Sequence, residues 1–521
     1  MSQRRFLKFE HVSFAYPGMA SPLLADVDAY FPEGEWTGVV GANGCGKTTI
    51  LRLAAGELEP TAGHIASFGR ASYVVQRTDS PPGDLEPFIY AGDPLAHSLR
   101  HRLGIGADWH LRWDTLSHGE RKRAQIAAAL WTEPDILALD EPTNHLDAAA
   151  KALLIESLHG FSGAGFIVSH DRDFLDALCS QCLLVFPPNA TLRPGGVTEG
   201  LEQDRREQFH LRARDDDARR KSRGLREAAQ ERREKAEQLA ARNKAQRNVR
   251  ISANDHDGRA KRNIAKLTGK NAWAVSQSAA LARRAGKAEA GRRGLAPRKE
   301  YDMGFWVGVG ERSQRNFVLS LEPGEIPLGG RRRLVYPELR ISPDDRIALT
   351  GANGLGKSTL LRHIADLANV PPEKTLVVPQ EISEDEARRI HAEVKALGKD
   401  ALGKVMTSVS RLGSRPERLL ASECPSPGEI RKMLLALGVN RGLHFLVMDE
   451  PTNHLDLPSI ECLEEALAEC PCAMLLVSHD RRFLSRAARK EWHLEPDGGN
   501  TQLVFRVLGN EYADDSGMTR R

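Results

Sequence analysis

What the chain lacks narrows the field first. Nowhere in its 521 residues is there a run near the ~20 apolar residues that a helix needs to cross a bilayer. The opening MSQRRFLKFEHVSF is charged and has no apolar stretch, so it does not read as a secretory leader. Cysteine is scarce and odd in number, at seven. That excludes a disulfide framework as the organising device and points to reduced thiols in a cytoplasmic protein. Cys179 and Cys182 form a lone CxxC with no second pair at zinc-site spacing, so they read as ordinary thiols. Cys470 and Cys472 read as packing at a strand edge. Net charge is also small, at +3.

What the chain has is repetition. The stretch EPTNHLD runs from Glu141 to Asp147 and again, letter for letter, from Glu450 to Asp456. About 100 residues before each copy stands a glycine-rich loop, GANGCGKTT from Gly41 and GANGLGKST from Gly351. Each follows a strand-like apolar run and opens a helix-like one, the context that makes G-x-x-x-x-G-K-[ST] a phosphate-binding loop. Backbone N–H groups of such a loop face phosphate, and the helix N-terminus adds a favourable dipole. Its candidates are Gly41, Asn43, Gly44, Gly46, Lys47, Thr48 and Thr49, with Gly351, Asn353, Gly354, Gly356, Lys357, Ser358 and Thr359 in the second copy. Lys47 and Lys357 would reach the β- and γ-phosphates, and the hydroxyls of Thr48 and Ser358 would hold Mg2+.

The runs DILALDEP and LHFLVMDEP read as buried strands ending in a carboxylate pair. Asp140 and Asp449 are placed for Mg2+, and Glu141 and Glu450 for polarising the attacking water. His170 and His479, in FIVSHD and LLVSHD, are placed to sense the γ-phosphate. Gln76 and Gln380 end strand-like runs, where a side-chain amide reaches metal or water.

Together these motifs resemble two ATP-binding cassettes. EPTNHLD, with LSHGE before the first copy, is similar in particular to the ABC-F branch, and the likeness spans roughly 400 residues. The resemblance implies an α/β fold with two P-loop NTPase cassettes. It also implies Mg-dependent ATP hydrolysis and a head-to-tail closure in which the signature of one half completes the ATP site of the other. Carried onto this chain, the signature groups are Ser117, Gly119 and Glu120 in LSHGERKRAQ, and Ser426, Gly428 and Glu429 in PSPGEIRKML. Both copies depart at the middle position, with His118 and Pro427. A proline there removes a donor and fixes φ, so the site completed by the second signature is expected to differ. Tyr16 stands 25 residues before Gly41, where an aromatic of this family stacks on adenine. The matching EPGEIPLGG has no aromatic, which leaves aliphatic contact, or a residue the sequence does not identify, for the second adenine. Tyr336 lies too near Gly351 to be its counterpart.

Between the cassettes the chain turns basic. From Glu202 to Lys299 there are 28 Lys/Arg against 13 Asp/Glu, a net charge of +15 that leaves the remainder near −12. Residues 202–249 contain no proline and are rich in helix formers. They predict a helix of about 45 residues, roughly 65–70 Å long. Leu211, Ala218, Leu225 and Leu239 share a seven-residue register, interrupted by Arg232 and weakened by Gly224. SANDHDG then offers a turn, GRAKRNIAKLTG a short basic helix closed by Gly269, and SQSAALARRAGKAEAGRR a returning helix. The expected shape is a helical hairpin with a basic, irregular tip that contains Trp273.

The expected organisation is a first cassette over 1–200, a basic helical linker over 201–302, a second cassette over 303–510 and a tail over 511–521. A basic tip suits RNA, whose phosphates attract Lys and Arg and whose bases stack on Trp or Arg. The family likeness implies a ribosome partner (rRNA and tRNA) met through linker residues 242–299, at the tRNA exit site with the linker toward the P-site tRNA. It also implies a monomer whose cassettes form an intramolecular sandwich. Antibiotic-resistance protection and general translation regulation both fit. The alternatives are the ATPase subunit of a transporter with separate membrane partners, and a DNA-repair ATPase. Only 26 residues separate Thr49 from Gln76, which leaves no room for an extra arm in the first cassette.

Overall fold

Strands covered on both faces read as continuous apolar runs, because neither face meets water. Ile136–Asp140 and Ala164–Val168 are of this kind, and every residue of both is buried. The computed structural model describes residues 6–19, 21–144, 146–247, 270–293, 313–414, 416–422, 425–453 and 455–507. In the first half it places six strands in the order Ala71–Val74, Ile136–Asp140, Ala164–Val168, Trp36–Gly41, Gln181–Phe186 and Asn189–Pro194. The first five are parallel and the last returns antiparallel. A separate antiparallel sheet of Leu24–Pro32, Phe6–Phe14 and Ala62–Ala66 covers the helix Lys47–Ala54. Phe9, Phe31 and Phe166 fill the space between, with edge-on ring contacts at 5.4 and 4.7 Å.

The repeated motifs prove to be a repeated topology. In the second half Thr375–Val378, Phe445–Asp449, Ala473–Val477, Arg346–Gly351, Lys490–Asp497 and Asn500–Val507 follow the same order. Two further strands, Arg332–Tyr336 and Gly324–Gly329, join this sheet through Leu334 opposite Thr501. Each half also carries a helical lobe between its glutamine-bearing strand and its Asp-Glu strand. In the second half that lobe has its own core, including Ile390, Val394, Val409 and Met433. Cys179, Cys182, Cys470 and Cys472 are all buried and unbridged, with the last two sulfurs 3.0 Å apart. No described helix is long and apolar enough to cross a membrane.

By contacts the chain divides into two units, one of residues 1–200 with 301–521, the other Leu201–Glu300. The second unit is a helical hairpin. One arm is the helix Val197–Arg247, 51 residues and so roughly 76 Å long, starting five residues before the expected Glu202. The other arm is Lys270–Arg293. The two run antiparallel, with Arg232 Nη1 donating to Gln277 Oε1 at 3.0 Å near one end and Arg292 beside Asp215 near the other.

Two expectations need correction here. The most buried seam is not Leu211, Ala218 and Leu225, which are half-buried, but Ser222, Ala229 and Ala236, with Ala285 buried on the other arm opposite Ser222. Small residues let the two backbones approach closely, and Ser222 Oγ lies 3.4 Å from the carbonyl of Ala285. Trp273 belongs to the returning helix rather than to an irregular tip. Its neighbours NAWAVSQS contain neither glycine nor proline, so nothing breaks the helix there. The expected turn at 252–258, the helix at 258–269 and the tail at 511–521 lie outside the described residues.

Candidate active site

Each phosphate loop closes over its own lysine. Lys47 Nζ donates to the carbonyls of Gly41 and Ala42 at 2.8 and 3.2 Å, and Lys357 Nζ to those of Gly351 and Ala352 at 2.8 and 3.1 Å. The last glycine is needed at both places. Gly46 and Gly356 have φ of 100° and 93°, and an added Cβ would meet Leu23 at 2.9 Å or Leu328 at 2.5 Å. Leu328 therefore occupies over the second loop the place of Leu23 over the first. Leu328 is brought there by the strand Gly324–Gly329. Tyr16 stands at the first loop, its hydroxyl 3.0 Å from Thr49 Oγ1 and its ring edge-on to Phe14.

Beside the loops sit the carboxylates. Thr48 Oγ1 donates to Asp140 Oδ2 at 2.7 Å, and the Ser358 hydroxyl likewise bonds Asp449. Burial raises the carboxyls of both aspartates above the ordinary range. The next residue is strained in both halves, with φ of 48° at Glu141 and 47° at Glu450, at a cost of roughly 1–3 kcal/mol each. That backbone turns each glutamate inward. His170 Nε2 lies 2.8 Å from Glu141 Oε1, and His479 Nε2 lies 3.6 Å from Glu450 Oε1 and 3.0 Å from Asn353 Oδ1. Burial pushes Glu450 up to about 7, and burial with nearby Lys357 and Lys151 holds His479 down to about 4. Glu141 Oε2 is buried without a hydrogen-bond partner among the described residues. A buried carboxylate pair beside a hydroxyl and an amide oxygen is a hard, all-oxygen donor set of the kind Mg2+ takes.

The two halves meet head to tail. One cavity, about 540 Å³, is lined by Asn353, Lys357, Gln380 and Glu450 from the second half and by Ser117 and Gly119 from the first. The other, about 520 Å³, is lined by Tyr16, Lys47, Gln76 and Glu141 from the first half and by Ser426 and Gly428 from the second. Asp456 Oδ2 accepts the backbone N–H of Asn43 at 2.6 Å across this junction. A buried ion pair of Arg172 with Glu464, also bonded by Arg486 at 2.6 Å, joins the halves away from the loops.

Glu120 and Glu429 do not line either cavity. Each turns back on its own signature serine and closes a capping box, Glu120 Oε2 accepting from Ser117 N and Oγ at 2.8 Å, and Glu429 Oε2 from Ser426 likewise. Pro427 leaves no mark on the backbone. It is the first helical residue, where a proline is tolerated, and Ser426 (φ −64°, ψ 157°) matches Ser117 (φ −64°, ψ 156°).

Residues outside the expected set complete the frame. Buried Lys122 donates to the carbonyls of Val75 and Gln76, tying the signature helix to the first glutamine loop. Arg431 takes its place in the second half and holds Pro379 and Gln380 as well as Glu450, Pro451 and Asn453. Tyr73 OH donates to Asp140 Oδ2 at 3.1 Å. Strand pairing puts Val377 at the matching place beside Asp449.

Comparison with known proteins agrees with this geometry. The family model described as ABC transporter matches residues 24–144 and again 336–453. The chain is 29% identical to the tylosin resistance ATP-binding protein TlrC of Streptomyces fradiae, over 89% of this chain and 93% of that protein. It is 27% identical to the ribosome protection protein VmlR of Bacillus subtilis, over 92% and 85%. Among solved structures, the archaeal ribosome recycling factor aABCE1, in complex with the stalk protein aP1, shares the fold at a TM-score of 0.62. That match has 17% identity and covers 96% of this chain and 90% of that one.

Proposed function

We propose that the chain belongs to the ABC-F family of twin-cassette ATPases and is an ATP-driven ribosome-binding factor of the antibiotic-resistance or translation-regulating kind. The observation that carries the reading is the pair of head-to-tail cavities, each built from the phosphate loop of one half and the signature of the other.

In this reading Lys47 and Lys357 leave their loop carbonyls for the β- and γ-phosphates of ATP. Ser117 and Gly119, or Ser426 and Gly428, meet the γ-phosphate from the opposite half. Thr48, Gln76 and Asp140, with Ser358, Gln380 and Asp449, would hold Mg2+, which when bound neutralises charge on the leaving phosphate oxygens. Glu141 and Glu450 orient the attacking water, and His170 and His479 report the γ-phosphate. Tyr16 stacks on one adenine and Leu328 packs against the other. ATP favours the closed arrangement because only there do both halves touch its γ-phosphate, so hydrolysis releases the clamp.

The ribosome partner follows the names of the relatives, one a ribosome protection protein and one a tylosin resistance protein. The basic residues of 242–299 supply the charge for rRNA and tRNA contact, at the exit site with the linker toward the P-site tRNA. The protein acts as a cytoplasmic monomer, its own two cassettes forming the sandwich.

Pelleting of a Glu141→Gln/Glu450→Gln variant with ribosomes tests this. The expected result is ATP-dependent co-sedimentation that is lost when lysines and arginines of 242–299 are neutralised. A variant that retains ATP yet stays off ribosomes overturns the reading. Recovery with membranes or duplex DNA would then favour a transporter subunit or a repair ATPase.

A further inference from the structure

The two cavities are not equivalent, and one difference is a lysine that none of the motifs requires. Lys151 sits one turn beyond Asp147, on the helix Ala148–His159 of the first half. It lines the cavity that contains Lys357, Glu450 and His479 of the second half. Its Nζ lies 2.5 Å from Asp171 Oδ2, and both side chains are only 16% exposed. The repeat gives Lys151 a direct counterpart. Counting from the last residue of EPTNHLD, that position in the second half is Ile460, 1% exposed and part of the core.

An ordinary explanation is that Lys151 merely neutralises Asp171. Asp171 caps the helix Arg172–Leu178, accepting the N–H of Phe174 at 3.0 Å. Its counterpart Asp480 caps Arg481–Ala487 by accepting the N–H of Phe483 at 2.9 Å, with Ile460 where the lysine would be. The cap therefore forms without a lysine, and Lys151 is left with another use. Its charge is felt across the junction, where it partly offsets the burial that raises Glu450 and helps hold His479 down.

We propose that Lys151 is a residue of the second ATP site acting in trans, a first-half cation that faces the terminal phosphate and makes this site bind ATP over ADP more strongly than the other. This rests on the composite-site reading above. In the site as it stands Asp171 holds the ammonium at the cavity wall. A triphosphate brings additional negative charge to the space before Glu450 and His479, and the lysine answers it. A diphosphate ends short of that space and gains little. In the second half the matching residue is the buried, apolar Ile460, so the first site receives no such cation and has no such preference.

The test is equilibrium binding of ATP and of ADP to the full-length Glu141→Gln/Glu450→Gln protein, with and without Lys151→Ile. The expected result is a fall of about fivefold in ATP affinity at one of two sites, unchanged ADP affinity, and recovery with Lys151→Arg. When Lys357→Ala removes the second site, Lys151→Ile is expected to shift nothing. The proposal is overturned if ATP and ADP weaken alike, if both sites change, or if the only effect is lower thermal stability without nucleotide. Failure of the composite-site reading is distinguishable, because the protein carrying Lys151 would itself not bind two ATP.

Discussion

Arg431→Met isolates what a buried guanidinium contributes to the frame of the second site. The side chain is 2% exposed and donates to five carbonyls at 2.6–3.3 Å, two in the glutamine loop and three around the strained Glu450 turn. Each bond from a charged donor contributes ~1.5–3 kcal/mol, but the five share one group and do not add. Burial already opposes the charge, pushing the guanidinium down to about 10. The net loss expected is therefore about 3–5 kcal/mol, the range for breaking a buried charge network from one side. Lys122→Met in the first half removes bonds to only two carbonyls, at 2.7 and 3.0 Å, and is expected to cost about 1–2 kcal/mol. In cassettes of this size that corresponds to losses of roughly 6–20 °C and under ~8 °C in midpoint. A two-cassette chain need not unfold in one step, so cassette-resolved hydrogen exchange is the assay. Faster exchange around Gln380 and Asn453 is expected in Arg431→Met, with residues of the first half unchanged. Equal losses from the two substitutions would refute the reasoning.

Lys122 also gives a pH dependence. Burial lowers its folded pKa to about 8 from 10.5, so the penalty for burying its charge is fully present below about pH 8 and relieved as pH rises toward 10.5. Denaturation at pH 7 and 9.5 is expected to show the protein gaining stability relative to Lys122→Met. Tyr73→Phe removes one of two donors to Asp140 Oδ2 and is expected to weaken Mg-dependent nucleotide binding at the first site by about 1.5 kcal/mol, roughly tenfold. Magnesium titration in a Lys357→Ala background measures it, and Mg-free binding is expected to stay the same. Ser222→Leu forces a large side chain against Ala285, which is 1% exposed, and is expected to cost the hairpin about 1–3 kcal/mol, seen as faster exchange along both arms.

The motifs were legible because phosphate chemistry leaves few alternatives. A loop that must present N–H groups needs its glycines, and a water-polarising acid must follow the metal-binding one at a strand end. The same runs showed where the buried strands lie, and the cassette fold came with the family resemblance, whereas the strand order is visible only in the folded chain. Other errors came from weighing size over shape. The leucines of the linker stood out by hydropathy, whereas the closest helix contact needs Ser222 and the alanines, which carry little hydropathic signal. The capping box was readable in Ser117–Glu120 and Ser426–Glu429, and it would have removed both acids from the nucleotide contacts. Leu328, Tyr73 and Lys151 were not readable in one half alone. Each gains its meaning from strand pairing or from the opposite cassette, which only the folded chain brings near.

The most direct measurement crosses the two halves. In the Glu141→Gln/Glu450→Gln protein, Lys47→Ala is combined either with Gly428→Asp or with Gly119→Asp, and the ATP retained through gel filtration is counted. If each site takes its phosphate loop from one half and its signature from the other, Lys47→Ala with Gly428→Asp damages one site and one ATP remains. Lys47→Ala with Gly119→Asp then damages both, and none remains. The opposite pattern, with the same-half pair sparing one ATP, would contradict the composite sites and the clamp built on them.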